Sequence, residues 1–172
     1  MREFNVLKVL AVALILGLLV TTPFWKVAYS KEGTGSILDK PGRFFDLKIP
    51  EGFKPAPSDE PGILKWKKGS GEIYLVVGDL IADSDDQAFK ELRKAATGDK
   101  RLEEVKTLRV EGGKALLWKE VPPNDDGRLQ IWRIIAVTKK KKMINIDFMA
   151  PVKDFSSFVS SFEDAVKSFK LR

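Results

Sequence analysis

Apolar and polar positions follow each other most regularly in the last third of the chain. Leu129 to Thr138 reads Leu-Gln-Ile-Trp-Arg-Ile-Ile-Ala-Val-Thr. As a strand it turns Leu129, Ile131, Ile135 and Val137 one way and Trp132, Ile134 and Ala136 the other, with Arg133 the exception among apolar positions. A strand apolar on both sides belongs in the middle of a sheet covered on both faces. Met143 to Ala150 alternates more cleanly: Ile144, Ile146 and Phe148 share one face, and Asn145 and Asp147 lie on the other. That predicts a half-buried strand, joined to the first by a turn at Lys139 to Lys142. After Pro151, Phe155, Phe158, Val159, Phe162, Ala165, Val166 and Phe169 recur at three- and four-residue spacing. They form one apolar stripe on a helix of about four turns, for which Asp154 or Ser156 is the expected cap. Such a stripe needs a sheet to lie against.

The earlier chain is read in the same way. Phe44 to Ile49 alternates as a first strand, and Pro50-Glu51-Gly52-Phe53 turns the chain. Pro55, Pro57 and Pro61 predict an extended, irregular stretch from Lys54 to Gly62. Ile63 to Lys67 and Glu72 to Leu80 are strands around Gly69-Ser70-Gly71. Ser84 with Gln87 is a capping-box pattern. It opens a helix whose apolar side is Ala88, Phe89, Leu92, Ala95 and Ala96, stopping at Gly98. Asp99 to Glu104 reads as a loop. Val105 to Val110 and Lys114 to Val121 pair around Glu111-Gly112-Gly113, and Pro122 to Gly127 turns back into Leu129. The expected order is three strands, a helix, four strands and a helix. Short turns between neighbouring strands predict an α+β fold with a mostly antiparallel sheet of six or seven strands flanked by helices.

The start differs in kind. Arg2 and Lys8 precede Val9 to Val20, which contains only Val, Leu, Ala, Ile and Gly. Ala28-Tyr29-Ser30 puts small residues before a possible cut at Lys31. Residues 1–30 therefore read as a secretory signal peptide, with an uncleaved membrane anchor through 9–25 as the rival. Either way the folded part faces out of the cytoplasm, periplasmic or secreted. Residues 31–42 read as a linker and 43–172 as one domain.

Composition removes whole classes of chemistry. There is no cysteine and no histidine among the 172 residues. Disulfides, thiolate metal sites, cysteine nucleophiles, the usual zinc centres and Ser-His-Asp hydrolysis are excluded. The net charge is +6; residues 1–30 hold three basic and one acidic residue, leaving 27 basic against 23 acidic in the rest. That mild surplus suits an anionic surface and does not imply nucleic acid.

The stretch Phe44-Phe45-Asp46-Leu47-Lys48-Ile49-Pro50-Glu51-Gly52-Phe53 resembles the opening strand and Pro-x-Gly-aromatic turn of PsbP-like domains. Those domains usually have tryptophan where this chain has Phe53. The ending is similar too: a long hairpin, Ala150-Pro151, then a helix closing on Ser168-Phe169. The resemblance runs from about Phe44 to Phe169. It implies an antiparallel sheet between helices, the fold of the photosystem II PsbP subunit, of a Ran-binding nuclear import factor and of many exported bacterial proteins of unassigned role. It implies a binding or assembly module more than an enzyme. PsbP metal sites have been attributed partly to histidine, so metal binding does not carry over to this chain. The exported start argues against the Ran-binding role.

Candidate sites remain few. Lys139, Lys140, Lys141 and Lys142 suit lipid headgroups, an anionic polymer or an acidic protein; the plainer reading is a solvated hairpin tip, since such tips are commonly charged. Trp66, Trp118 and Trp132 suit a groove for an apolar or glycan ligand, or simply core. Asn124-Asp125-Asp126-Gly127 lacks the ligand spacing of a calcium loop and reads as a turn. Asp83, Asp85 and Asp86 read as helix-start residues, and Ser156, Ser160 and Ser161 as solvent-facing serines rather than partners of Lys153 or Lys167. Three functions are expected in this order: an exported, non-enzymatic binding or assembly module of the cell envelope; an envelope carrier of a small or apolar ligand in an aromatic-lined cleft; and a hydrolase built on carboxylates alone. No cofactor is expected. The expected partner is an envelope protein or an anionic surface, with possible membrane proximity.

Overall fold

A computed structural model describes residues 44–58, 62–80, 84–120 and 129–172. The signal segment, anchor, linker, Asp83 and the Asn124–Gly127 turn lie outside the described residues. The elements in chain order are β1 (Phe45–Asp46), β2 (Lys54–Ala56), β3 (Ile63–Lys68), β4 (Gly71–Asp79), α1 (Asp85–Gly98), β5 (Leu102–Val110), β6 (Gly113–Glu120), β7 (Leu129–Val137), β8 (Lys142–Pro151), α2 (Val152–Phe155), a 3-10 turn (Ser156–Phe158), α3 (Val159–Ser168) and β9 (Lys170–Leu171). Among the described residues, β2-β3-β4-β8-β7-β6-β5 form one antiparallel sheet and β1 pairs with β9 in a second.

Both central strands of the main sheet, β7 and β8, are covered on two sides. On one face Ile73, Leu75, Trp132, Ile134, Ile144, Ile146 and Phe148 meet Phe155, Phe162 and Ala165 of the C-terminal helices. On the other, Leu116, Trp118 and Ile135 meet Phe89, Leu92 and Ala96 of α1. The fold is therefore helix, sheet, helix, and the two-sided apolar pattern of β7 is the reason it sits near the middle. Ser84 caps α1 as its sequence predicts, its Oγ accepting from the Gln87 N–H at 3.2 Å. The reciprocal half of the capping box is missing, because the Gln87 amide donates to Glu91 instead.

Phe162 is the hinge pin of the larger core. It is fully buried, and its ring lies 5.2 Å from Phe148, 5.6 Å from Phe155, 5.8 Å from Phe158 and 6.0 Å from Phe53. The expected cap at Asp154 or Ser156 does not form. The helix begins directly after Pro151 with no side-chain cap, and the Asp154 carboxylate accepts from the Ser70 hydroxyl at 2.9 Å, tying the helix to the β3–β4 turn. The 3-10 turn breaks the expected single helix. Its three-residue period sets Phe155 and Phe158 above one another, so both reach Phe162. Gly71 allows this: a Cβ there would stand 2.7 Å from the Phe158 ring.

Three strand expectations change. Phe44–Ile49 shortens to β1 because it pairs with the C-terminal β9 rather than the main sheet. The proline-rich stretch supplies β2 at the sheet edge, the place in a sheet where a proline is tolerated. Strand β5 starts three residues early, since a register shift between Glu103 and Lys106 lets Glu104 take φ +53 without ending the pairing with β6.

Candidate binding groove

The larger core beneath α3 includes β4, β7 and β8, and a groove opens between the flank of α3 and the strands β5, β6 and β7. Its flank residues Val159, Glu163, Val166 and Lys167 are spaced at four, three and one, so they share one side of the helix. Opposite them stand Glu104 and Lys106 on β5, Leu117 and Lys119 on β6, and Trp132 on β7. The space between is a groove of about 360 Å³. Leu117 and Trp132 form its floor, with Val159 and Val166 as the apolar wall. Trp118 also borders it, although its ring belongs to the core on the opposite face.

Trp132 is the central residue. It is 9% exposed, packs against Phe155 at 5.5 Å, and has the Lys119 ammonium 5.4 Å from its ring centre. Its indole N–H is buried and has no hydrogen-bond partner. A buried unmatched donor costs on the order of 1–3 kcal/mol. The rim is charged. Glu104 accepts from Lys106 at 2.8 Å and from Lys119. Hydrogen bonds from those two lysines, Lys106 foremost, lower the Glu104 carboxyl to about 2. Lys167 lies 3.8 Å from Glu163 and 3.7 Å from Asp164. Three lysines therefore face two glutamates around the apolar floor.

A second constellation sits on the α1 face of the sheet. Arg133, 4% exposed, donates through Nε and Nη2 to both oxygens of Asp147 at 2.6 and 2.9 Å, and through Nη1 to Glu120 at 2.6 Å. Burial works against the charged guanidinium, but the charge and hydrogen bonds of Asp147, and the charge of Glu120, outweigh it and raise its pKa. Asn145 donates to Asp147 at 3.4 Å while its own Oδ1 is buried without a partner. The polar side of β8 is thus buried rather than solvated, because cross-strand neighbour Arg133 neutralises Asp147. The sequence displayed both residues but not the register that joins them. Glu120 and Asp147 converge on this one guanidinium.

The three tryptophans do not share one cleft. Trp132 and Trp118 border the groove, whereas half-buried Trp66 lies on β3 against the large core, with β4 and β8 between it and Trp132. Lys139, Lys140 and Lys141 are exposed at the β7–β8 tip; Lys142 is half-buried and paired with Asp79. Sequence reasoning missed Leu117, Lys119, Val159 and Val166 as groove residues. They become neighbours only once the helix crosses the sheet.

No protein-family profile matches the chain, and no curated protein matches it in sequence. Several solved structures share its fold, among them the following two. The solution structure of the cyanobacterial PsbP protein CyanoP from Synechocystis sp. PCC 6803 has a TM-score of 0.50 at 15% identity, covering 91% of this chain and 100% of that one. The crystal structure of LpqN, described as involved in cell envelope biogenesis of Mycobacterium tuberculosis, has a TM-score of 0.51 at 6% identity, covering 74% of this chain and 82% of that one. Identities this low carry the fold alone.

Proposed function

On the premise that this chain has the PsbP-like fold, we propose that it is an exported, non-enzymatic binding module of the cell envelope, and that its binding site is the groove beside α3. The apolar run at residues 9–20 and the small residues before Lys31 support export. The envelope role described for LpqN is in keeping with it. The observation that carries the site is the groove itself, an apolar floor of Leu117 and Trp132 under the flank of α3 with lysines on its rim.

Within that class, the geometry favours the carrier of a small molecule over docking by a protein surface. About 360 Å³ suits a ligand of modest size rather than a protein side. Leu117, Val159 and Val166 call for an apolar body. Lys106, Lys119 and Lys167 on the rim call for an anionic acceptor at one end. Nothing specific among the described residues favours the hydrolase reading, since the convergent pair Glu120 and Asp147 is bound to Arg133.

Two measurements test this. Fractionation of cells carrying the full chain should find it outside the cytoplasm; a purely cytoplasmic protein ends the export reading. For the groove, dodecanoate titrated into the protein should change the indole fluorescence and saturate. Leu117→Trp, which fills the floor, should abolish the response. Lys106→Gln with Lys119→Gln, which removes two rim charges, should weaken it about tenfold, the worth of one hydrogen bond to a charged partner. Dodecanoate binding that ignores both substitutions would dismiss the groove.

A further inference from the structure

We propose that the end of the sheet carrying Lys139, Lys140 and Lys141 is the surface this protein lays against an anionic lipid bilayer. The inference is independent of the groove and rests in part on reading residues 9–25 as a segment that enters a membrane.

The lysine tip is a built platform. The Lys141 N–H donates to the Thr138 carbonyl at 3.0 Å, and the Lys142 N–H donates to the Thr138 hydroxyl at 3.1 Å. Thr138 itself is buried, and the Leu80 N–H donates to the Lys141 carbonyl at 2.8 Å, pinning the tip to the end of β4. Lys141 has φ +53, a left-handed position in which glycine or asparagine costs least. The turn retains a lysine at the one place where a lysine is unfavourable. Strain held in an exposed turn points to a use for the side chain.

The same end is where the chain enters the domain. Phe44 is buried there, with the ammonium groups of Lys140 and Lys142 at 5.8 and 5.9 Å from its ring. Its carbonyl accepts from the Arg172 N–H at 2.9 Å. Residues 26–43 separate the uncharged stretch from Phe44 and span at most ~60 Å when fully extended. A leader left uncleaved in a bilayer tethers the whole domain within that distance of the headgroups. Among the described acidic side chains at this end, Asp79 is matched by Lys142, Glu111 by Lys170, Asp46 by Arg172 and, at 3.9 Å, exposed Asp86 by Lys114. No described acidic side chain pairs with Lys139 or Lys141, which leaves surplus positive charge at the entry point. An anionic bilayer fits that arrangement. An acidic protein would not require the charges to gather where the leader joins.

The test uses the full 172-residue chain with two kinds of vesicle, phosphatidylcholine alone and phosphatidylcholine with about a third phosphatidylglycerol. Binding to the neutral vesicles reports the leader. The ratio of anionic to neutral binding reports the lysines. Lys139→Gln combined with Lys141→Asn relieves the strained position and removes two charges. It should cut the ratio about 25-fold, at about fivefold per lysine, with neutral binding unchanged. Lys94→Gln with Lys100→Gln, equally exposed but on α1 and the loop after it, should leave the ratio within about twofold. An unchanged ratio in the first variant overturns the proposal, as does an equal loss in the second. Loss of an acidic protein from the co-purified set while vesicle binding stays intact overturns it in favour of a protein contact.

Discussion

Replacing Arg133 by methionine isolates what the buried charge cluster does. The side chain keeps an unbranched apolar stem of similar reach to the arginine's methylenes and loses the charged head. In the native fold one guanidinium serves two carboxylates through three short bonds of 2.6, 2.9 and 2.6 Å, with Arg133 4% exposed. Each charge-assisted bond contributes about 1.5–3 kcal/mol, and the cost of taking three ionised groups out of water offsets most of the sum. The native cluster is thus close to break-even. The variant is not, because Asp147 and Glu120 stay desolvated with no cation between them. Their remaining donors are weak: Asn145 to Asp147 at 3.4 Å and Trp118 to Glu120 at 3.5 Å. Stranding buried charge in this way costs about 3–5 kcal/mol. At about 3 °C per kcal/mol for a domain of this size, the melting temperature should fall by roughly 10–15 °C.

The assay is urea unfolding followed by tryptophan fluorescence, with thermal melts beside it. The informative comparison is the triple variant Arg133→Met, Asp147→Leu, Glu120→Leu. It removes the whole cluster and puts apolar volume in its place, so it should recover to within about 1–2 kcal/mol of the native protein or exceed it. A single variant that loses less than ~1 kcal/mol would show that water reaches the cluster and the burial argument is mistaken. A triple variant no better than the single would show that the polar groups organise the sheet rather than merely balance one another.

Phe162→Ala should cost about 3–5 kcal/mol in the same urea assay, since the fully buried ring joins four other phenylalanines and α3 cannot close over the gap; a loss under ~1 kcal/mol would mean that the helix is not fastened there. Lys141→Gly should raise stability by about 0.5–1 kcal/mol by relieving φ +53, net of the freedom glycine adds to the unfolded chain; destabilisation would show that the side chain contributes to the fold. Glu104, lowered to about 2, should stay ionised in a carbon-13 titration until the pH falls to that region. Its folded value is depressed, so whatever it contributes is present above the ordinary glutamate range and lost as pH falls through about 2. In Lys106→Gln with Lys119→Gln, its midpoint should return to that ordinary range.

The parts of this fold legible from residue order are those decided by a strand's own alternation. Ile73, Leu75 and Val77 on β4 and Ile144, Ile146 and Phe148 on β8 are buried on the face their spacing predicts. What escaped depends on a distant partner. The two residues of β9 are too few to show a period, and they exist as a strand because Phe45 and Asp46 lie alongside. The cap expected at Asp154 failed because Ser70, 84 residues away, took the carboxylate. Lys119 and Trp132 look unrelated at a separation of 13 residues, yet they face each other across β6 and β7 and frame the groove. Arg133 stood out as the one charge in an apolar strand. Reading it correctly required knowing that Asp147 is its cross-strand neighbour.

The groove and the charge cluster follow from one asymmetry in how the sheet is covered. The sheet is seven strands wide among the described residues, and each face has helices over only part of it. The phenylalanine hub fastens α3 over β8, near the sheet's centre, and a groove remains between the helix's flank and the outer strands β5 and β6. Apolar Leu117 and Trp132 fall beneath the helix's edge, and lysines fill the margin between oil and water, where a long stem and a charged head are both satisfied. On the opposite face α1 packs on β5, β6 and β7, and the buried polar groups begin where its apolar contacts stop, at Arg133, Asp147 and Asn145. Apolar side chains on both faces hold β7 near the centre of the sheet. The same strand then contributes Trp132 to one margin and Arg133, the next residue, to the other. One strand thus supplies both the binding floor and the buried cation, and the two sides of a single pleat separate them.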